Sequence, residues 1–133
     1  MRRMNTSVLW VLSPQFPCRD AIKRTIRSRG LLLVTLDSVD EAFQMLRQFR
    51  AGAVVLHAAG TSESWDVCTR LIGAGSPVVV AIDDTKPADV PRYWAVGCAG
   101  VIGISCPADR IAAMLQNVAS GGRQVMWLPE TAA

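Results

Sequence analysis

The strongest constraint on the fold is a short apolar run in the middle of the chain. Residues 53–57 read Ala-Val-Val-Leu-His, with Ala51-Gly52 before them and Gly60-Thr61-Ser62 after them. A short apolar run between such breakers is typical of a strand that is buried on both faces of a parallel sheet. His57 is its one polar residue. Because ligands in open α/β sheets gather beyond the carboxyl ends of central strands, His57 is the first position to consider for function.

Strand and helix patterns alternate along the rest of the chain with short connections. Strands are predicted at 7–12, 31–36, 53–57, 77–82 and 100–104, and each is followed by a helical pattern. Such alternation predicts a parallel sheet with helices on both faces, and right-handed crossovers leave few topologies. We therefore predict an α/β fold: a flavodoxin-like three-layer sandwich with five helices and a five-stranded parallel sheet in the order 2-1-3-4-5. The second and fifth strands are then its edges.

Length and composition predict one globular domain. The chain has 133 residues, of which 50% are hydrophobic. We assign residues 1–122 to the domain and residues 123–133 to a C-terminal linker or tail. No apolar run is long enough to span a membrane, and the run at 8–12 is too short for a signal peptide. We therefore expect a cytoplasmic protein without membrane contact.

The positive charge is concentrated at the start of the chain. Residues 1–29 carry a net charge of +6, whereas the remainder carries −3. In the first helix, the basic residues fall between apolar positions, which is typical of a solvated face. A surface for a partner protein and direct DNA contact are the two alternatives.

The four cysteines show no metal-binding spacing. Cys18, Cys68, Cys98 and Cys106 form no C-x-x-C pair, and the chain has a single histidine. We therefore predict no metal site and no cofactor. In a chain that is not secreted, buried thiols are the expected state of these residues, and no spacing points to a redox switch.

Three segments resemble the receiver domain of bacterial response regulators, over about residues 7–122. Residues 77–81 (PVVVA) are similar to the fourth strand of that family, and residues 97–102 (GCAGVI) are similar to its G-A-x-G-Y-L turn and fifth strand. Residues 108–122, with VMWLPE at 125–130, resemble the last helix and linker of the NarL/LuxR-type subfamily. In that subfamily a helix-turn-helix domain usually follows.

The charged residues of a working receiver are missing from the matching positions. Phosphoryl transfer there needs carboxylates that hold Mg²⁺, an acceptor aspartate and a lysine that neutralises developing charge. The resemblance places the acidic pair on Leu12 and Ser13, the acceptor on His57, the Ser/Thr on Ile82, the lysine on Ile104 or Ser105 and the aromatic switch on Val101. One nearby carboxylate, Asp83, makes a poor Mg²⁺ site. The resemblance thus implies the fold of a degenerate pseudo-receiver without its phosphorylation chemistry.

His57 has three possible roles. It can be a neutral imidazole that is hydrogen-bonded at the strand end, a ligand contact or a phosphoryl acceptor. The first is the expectation, because no second charged group is predicted beside the imidazole to position a transfer.

The leading hypothesis is a regulatory domain that is not an enzyme and acts through a homodimer or a partner protein. DNA would be reached only through a following helix-turn-helix domain. Two surfaces could make the contact: the basic first helix with the last helix, or the face of the fourth helix, fifth strand and last helix, which carries Tyr93, Trp94 and Val101. The alternatives are a small-molecule sensor, with a pocket beside His57 that is lined by Leu12, Ser13 and Ile82, and a flavodoxin-like enzyme.

Overall fold

The computed structural model describes residues 7–11, 19–36, 38–48, 50–58, 62–82 and 87–126. The strands are β1 (Ser7–Val11), β2 (Leu32–Leu36), β3 (Ala53–His57), β4 (Val78–Ile82), β5 (Gly100–Gly103) and β6 (Gln124–Met126). The helices are α1 (Arg19–Ser28), α2 (Val39–Leu46), α3 (Ser62–Gly73), α4 (Val90–Ala95) and α5 (Ala108–Ala119). A short 3-10 turn, Pro87–Asp89, leads directly into α4. The predicted α/β class with five helices is confirmed.

The sheet has one strand more than the sequence predicts. Its order is β2-β1-β3-β4-β5-β6, and all neighbouring strands run parallel. The additional strand, β6, pairs with β5 from Gly100 opposite Gln124 to Ile102 opposite Met126. The predicted linker at 123–133 therefore includes a strand of the sheet, and the prediction that the fifth strand is an edge is wrong. Three residues are too few to show a strand period in the sequence.

Side-chain alternation along the central strands explains why they are apolar throughout. Val55, Val79 and Ile102 point to the layer that contains α1 and α5, where they pack in a cluster with residues such as Ile26 and Leu115. Their strand neighbours, including Val54, Val80 and Val101, pack in a second cluster on the layer of α2, α3 and α4. Burying one such aliphatic side chain stabilises a fold by about 1.5–3 kcal/mol. Two-sided burial of β3, β4 and β5 therefore holds the three layers together.

The ends of two helices follow their sequence signals. Ser38 caps α2, because its side-chain oxygen accepts a hydrogen bond from the backbone N–H of Glu41 at 3.3 Å. This is half of the capping box that the S-x-x-E spacing predicts. Gly30 follows α1 with φ +81°, in the left-handed region where glycine carries no steric penalty. Both signals fix where the chain enters or leaves a helix.

Within the described ranges, every helix is too short or too polar to cross a lipid bilayer.

Candidate functional site

The carboxyl ends of the central strands meet at one edge of the sheet, because β1, β3, β4 and β5 are parallel neighbours. His57 ends β3 and lies opposite Ala81 of β4, while Ile82, the last residue of β4, lies opposite Gly103 of β5. On the other side of β3, Val11 of β1 lies opposite Leu56, one residue before His57. His57 thus stands at the centre of the edge where ligands bind in folds of this class.

Backbone hydrogen bonds continue past these strand ends and fix the spacing of the edge. The N–H of Ala58 donates to the carbonyl oxygen of Ala81 at 3.0 Å, and the N–H of Ile104 donates to the carbonyl oxygen of Ile82 at 3.0 Å. Ile82 is buried, His57 and Ile104 are half-buried and Ser105 is exposed.

The structure brings together four of the predicted positions, His57, Ile82, Ile104 and Ser105. The other two positions of the predicted pocket, Leu12 and Ser13, lie outside the described residues, as does Asp83.

The chemistry of these strand ends is that of one imidazole among aliphatic groups. β3, β4 and β5 end in His57, Ile82 and Gly103, and Ile104-Ser105 follow β5, so none of the three supplies a carboxylate or an ammonium group. Among the described residues, no cluster of three or more His, Cys, Asp or Glu side chains is placed to hold a metal ion. Imidazole can donate and accept hydrogen bonds, but it does not provide the anionic ligands that Mg²⁺ prefers.

The predicted aromatic interaction surface is wrong in two of its three residues. Tyr93 and Val101 are both 0% exposed, and only Trp94 remains half-buried. Tyr93 points inward from α4 to the ring of Trp65, with 6.3 Å between ring centroids and a 59° angle between their planes. Val101 packs in the same cluster. The short α4 pattern does not distinguish an inward ring from an outward one, because six residues make less than two helical turns.

Trp94 is covered by an arginine that sequence analysis does not single out. The guanidinium of Arg123 lies over the Trp94 ring, 3.8 Å from its centroid. The same guanidinium donates hydrogen bonds to the carbonyl oxygens of Cys98, at 3.0 and 3.3 Å, and Trp94, at 3.4 Å. Arg123 directly precedes β6, so this contact ties the sixth strand to α4 and the turn behind it.

Two more arginine–aromatic stacks lie on the same layer. Arg92 lies over the Trp65 ring at 4.0 Å, and Arg70 lies over the Phe43 ring at 4.7 Å. Each stack joins residues 27 positions apart, so no local sequence spacing predicts the contact.

Two buried thiols also meet across this layer. The Sγ atoms of Cys68, on α3, and Cys98, in the turn between α4 and β5, are 3.7 Å apart, and both residues are 0% exposed. Cys106 is buried too, but it belongs to the cluster on the opposite face of the sheet. The burial of these three thiols agrees with the state expected from the sequence, whereas the contact between Cys68 and Cys98 could not be predicted. Cys18 lies outside the described residues.

A surface cleft of about 720 Å³ lies between α2 and α3. Phe43, Leu46, Arg47, Arg70 and Ala74 are among its lining residues, and it contains none of the predicted site residues. Its walls come mainly from the C-terminal halves of both helices. The cleft therefore lies toward the edge where the strands begin, away from His57.

No family model matches the sequence, and no curated protein matches it either. Solved structures do match. A response regulator from Thermotoga maritima is 18% identical, with a TM-score of 0.74 over 86% of this chain and 98% of the other. The receiver domain of a histidine kinase from Syntrophus aciditrophicus is 21% identical, with a TM-score of 0.69 over 86% and 90%.

A LuxR family DNA-binding response regulator from Silicibacter pomeroyi is also similar in structure. It is 17% identical, with a TM-score of 0.68 over 90% of this chain and 94% of the other. At these identities the likeness concerns the fold alone. The chain therefore has the flavodoxin-like α/β fold of response-regulator receiver domains.

Proposed function

We propose that this domain is a pseudo-receiver: a signalling domain that works by protein–protein contact and not by phosphorylation of an aspartate. In this proposal it is the regulatory part of a NarL/LuxR-type transcription regulator, it catalyses no reaction, and DNA is contacted only by a helix-turn-helix domain that follows it. The sequence resemblance of its last helix and of residues 125–130 to that subfamily, together with the receiver fold, supports this placement.

The observation that carries the proposal is the set of side chains at the carboxyl edge of the sheet. His57, Ile82 and Ile104 occupy strand ends where phosphoryl transfer would need an acceptor carboxylate, a hydroxyl and a cation. None of these three side chains is an anionic ligand for a divalent ion, and none is a cation that neutralises the charge that develops on the phosphoryl oxygens.

Phosphorylation can be tested directly with a small phosphodonor. The chain is incubated with acetyl phosphate and Mg²⁺, and its intact mass and thermal melting are measured. We expect no mass increase of a phosphoryl group, and no shift in melting temperature with beryllofluoride and Mg²⁺. A matched variant, Leu12→Asp/Ser13→Asp/His57→Asp, supplies carboxylates at the predicted positions and serves as the comparison.

A phosphorylated wild type would overturn the proposal. If the added phosphoryl mass were lost in acid and absent from His57→Ala, the imidazole would be the acceptor and the domain a phosphohistidine protein.

The outer face of α1 supports protein contact more strongly than the face of α4. Arg24 and Arg27 are exposed on α1, while Tyr93 and Val101 are buried and β6 covers the edge of β5. Two copies of a basic face repel each other, so this surface suits a partner protein with an acidic face better than a homodimer. Sedimentation velocity separates the two forms: a monomer at low and high salt favours the partner, and a dimer assigns the homodimer.

A further inference from the structure

The paired thiols of Cys68 and Cys98 join elements that are distant in sequence. Cys68 lies on α3, and Cys98 lies in the turn that connects α4 to β5. Their Sγ atoms, 3.7 Å apart, are in hydrogen-bonding contact. A disulfide needs about 2.05 Å between the sulphur atoms, so closing the gap requires the two atoms to approach each other by less than 2 Å.

The backbone around Cys98 is held in place from three sides. Its N–H donates to the carbonyl oxygen of Tyr93 at 3.4 Å, and the guanidinium of Arg123 donates twice to its carbonyl oxygen. The next residue, Ala99, donates its N–H to Val78 of β4 at 2.8 Å. These bonds keep the Cys98 thiol directed at α3, so the proximity of the two sulphur atoms is built into the fold.

The environment gives the two thiols different acidities. The hydrogen bond from Cys68 lowers the pKa of the Cys98 thiol, and the positive charge of Arg123 lowers it further, against the opposing effect of burial. The hydrogen bond to Cys98, together with burial, raises the pKa of the Cys68 thiol. The first proton is therefore lost from Cys98, which makes it the nucleophile of the pair.

We propose that Cys68 and Cys98 form a peroxide-sensitive dithiol that is oxidised to a disulfide. The Cys98 thiolate attacks one oxygen of a hydroperoxide, the O–O bond breaks, and the other oxygen leaves as water or an alcohol after taking up a proton. Cys68 sulphur then attacks the sulfenic acid of Cys98, an S–S bond forms, and the hydroxyl leaves as water with the Cys68 proton. Two thiols lose two electrons in total, and the peroxide gains them.

The disulfide would attach α3 covalently to the turn that precedes β5. It closes a loop between positions 30 residues apart, which restricts the unfolded chain and so stabilises the oxidised form. Because both sulphurs are fully buried, peroxide reaches them through local opening, which we expect at the six-residue α4, whose Tyr93 packs in the same cluster as the two thiols. Oxidation is therefore slower than that of an exposed thiol and is reversed by a dithiol reductant.

Peptide mapping tests the proposal on the full chain. The folded protein is treated with hydrogen peroxide, its remaining thiols are alkylated, and it is digested with trypsin without reduction. Trypsin places Cys68 in peptide 51–70 and Cys98, with Cys106, in peptide 93–110. We expect these two peptides to be joined by a reducible cross-link, with fragment ions that assign the bond to Cys98, and a higher melting temperature that dithiothreitol restores to its starting value.

Cys98→Ala and Cys68→Ala should each abolish the cross-link and the shift in melting temperature, while Cys106→Ala should retain both. A cross-link through Cys106, sulfinic acid without any disulfide, or the same cross-link yield in urea-unfolded chain would each overturn the proposal. Because the wild-type chain alone decides these outcomes, a variant that fails to fold does not affect the test.

Discussion

The guanidinium of Arg123 stacks on the ring of Trp94. This contact joins the start of the last strand, β6, to the six-residue helix α4. The guanidinium carbon lies 3.8 Å from the centroid of the Trp94 ring. Since the same guanidinium binds the carbonyl oxygens of Trp94 and Cys98, one side chain closes the turn behind α4 and anchors the start of β6. The contacts of Arg123 therefore add to the attachment of β6, which pairs with β5 over only three residues.

Replacing Arg123 by alanine should destabilise the domain. The variant loses a cation–π contact and charged hydrogen bonds at an exposed site, so we expect the free energy of unfolding to fall by about 1–2 kcal/mol. Urea titration followed by tryptophan fluorescence measures the change. Arg123→Lys should lose less, since an ammonium still donates but cannot stack as a plane. Arg110→Ala, on the exposed face of α5, is the matched control and should stay within about 0.5 kcal/mol of wild type. An equal loss in both alanine variants would contradict the anchoring role.

Tyr93→Ala should damage the core and leave any association unchanged. Because the ring is fully buried against Trp65, we expect about 3–5 kcal/mol of destabilisation, the range for large aromatic truncations. Thermal melting and sedimentation velocity are measured on the same samples. Tyr93→Phe keeps the ring and is the control, with a clearly smaller loss. A variant that is as stable as wild type but changed in its oligomeric state would restore Tyr93 to an interface.

Two glycines should respond to alanine in opposite directions. Gly121 follows α5 with φ +100°, where a Cβ is strained, so Gly121→Ala should cost about 1 kcal/mol and weaken the approach to β6. Gly73 ends α3 with no atom within 4 Å of a built Cβ, so Gly73→Ala should stabilise the fold by about 0.4–1 kcal/mol. Thermal melting of the two variants side by side checks the sign of each change. Destabilisation by both substitutions would show that α3 does not tolerate a methyl group there.

The rate of peroxide oxidation should rise with pH and level off below the pH range in which an ordinary cysteine ionises. The thiolate is the reactive form, and the hydrogen bond from Cys68 and the charge of Arg123 lower the pKa of Cys98. Alkylation of the remaining thiols at timed intervals gives the rate at each pH. Arg123→Ala should move the profile to higher pH, because the charge that favours the thiolate is removed. An unchanged profile in that variant would separate Arg123 from the acidity of Cys98.

The parts of the fold that could be predicted are those with a local pattern. The apolar runs of β3 and β4 and the capping box at Ser38 each fall within a few residues, and each forms as predicted. His57 was placed at a central strand end for the same reason. Its neighbours Ile82 and Ile104 could be named because the resemblance to receiver domains places the Ser/Thr and lysine positions on them.

The remaining features depend on contacts between distant positions. Cys68 and Cys98 are 30 residues apart and share no motif, so only the packing of α3 against the turn before β5 brings them together. Arg123 and Trp94 are 29 residues apart, and the strand that follows Arg123 is too short to be predicted from its sequence pattern. The inward orientation of the Tyr93 ring could not be predicted, because a helix of six residues is too short to show in its sequence which face is apolar.

The direction of β6 determines from which rim of the sheet the polypeptide departs. α5 returns the backbone to the rim of the sheet where the strands begin. A polypeptide that left the domain directly after α5 would do so on the side opposite His57. With β6 running parallel to β5, the backbone instead advances by about 10 Å toward the rim that carries His57, and at Met126 it lies on that rim with β4 and β5 between it and β3. A rearrangement at His57 would therefore reach Met126 through β4 and β5, the two strands that lie between them.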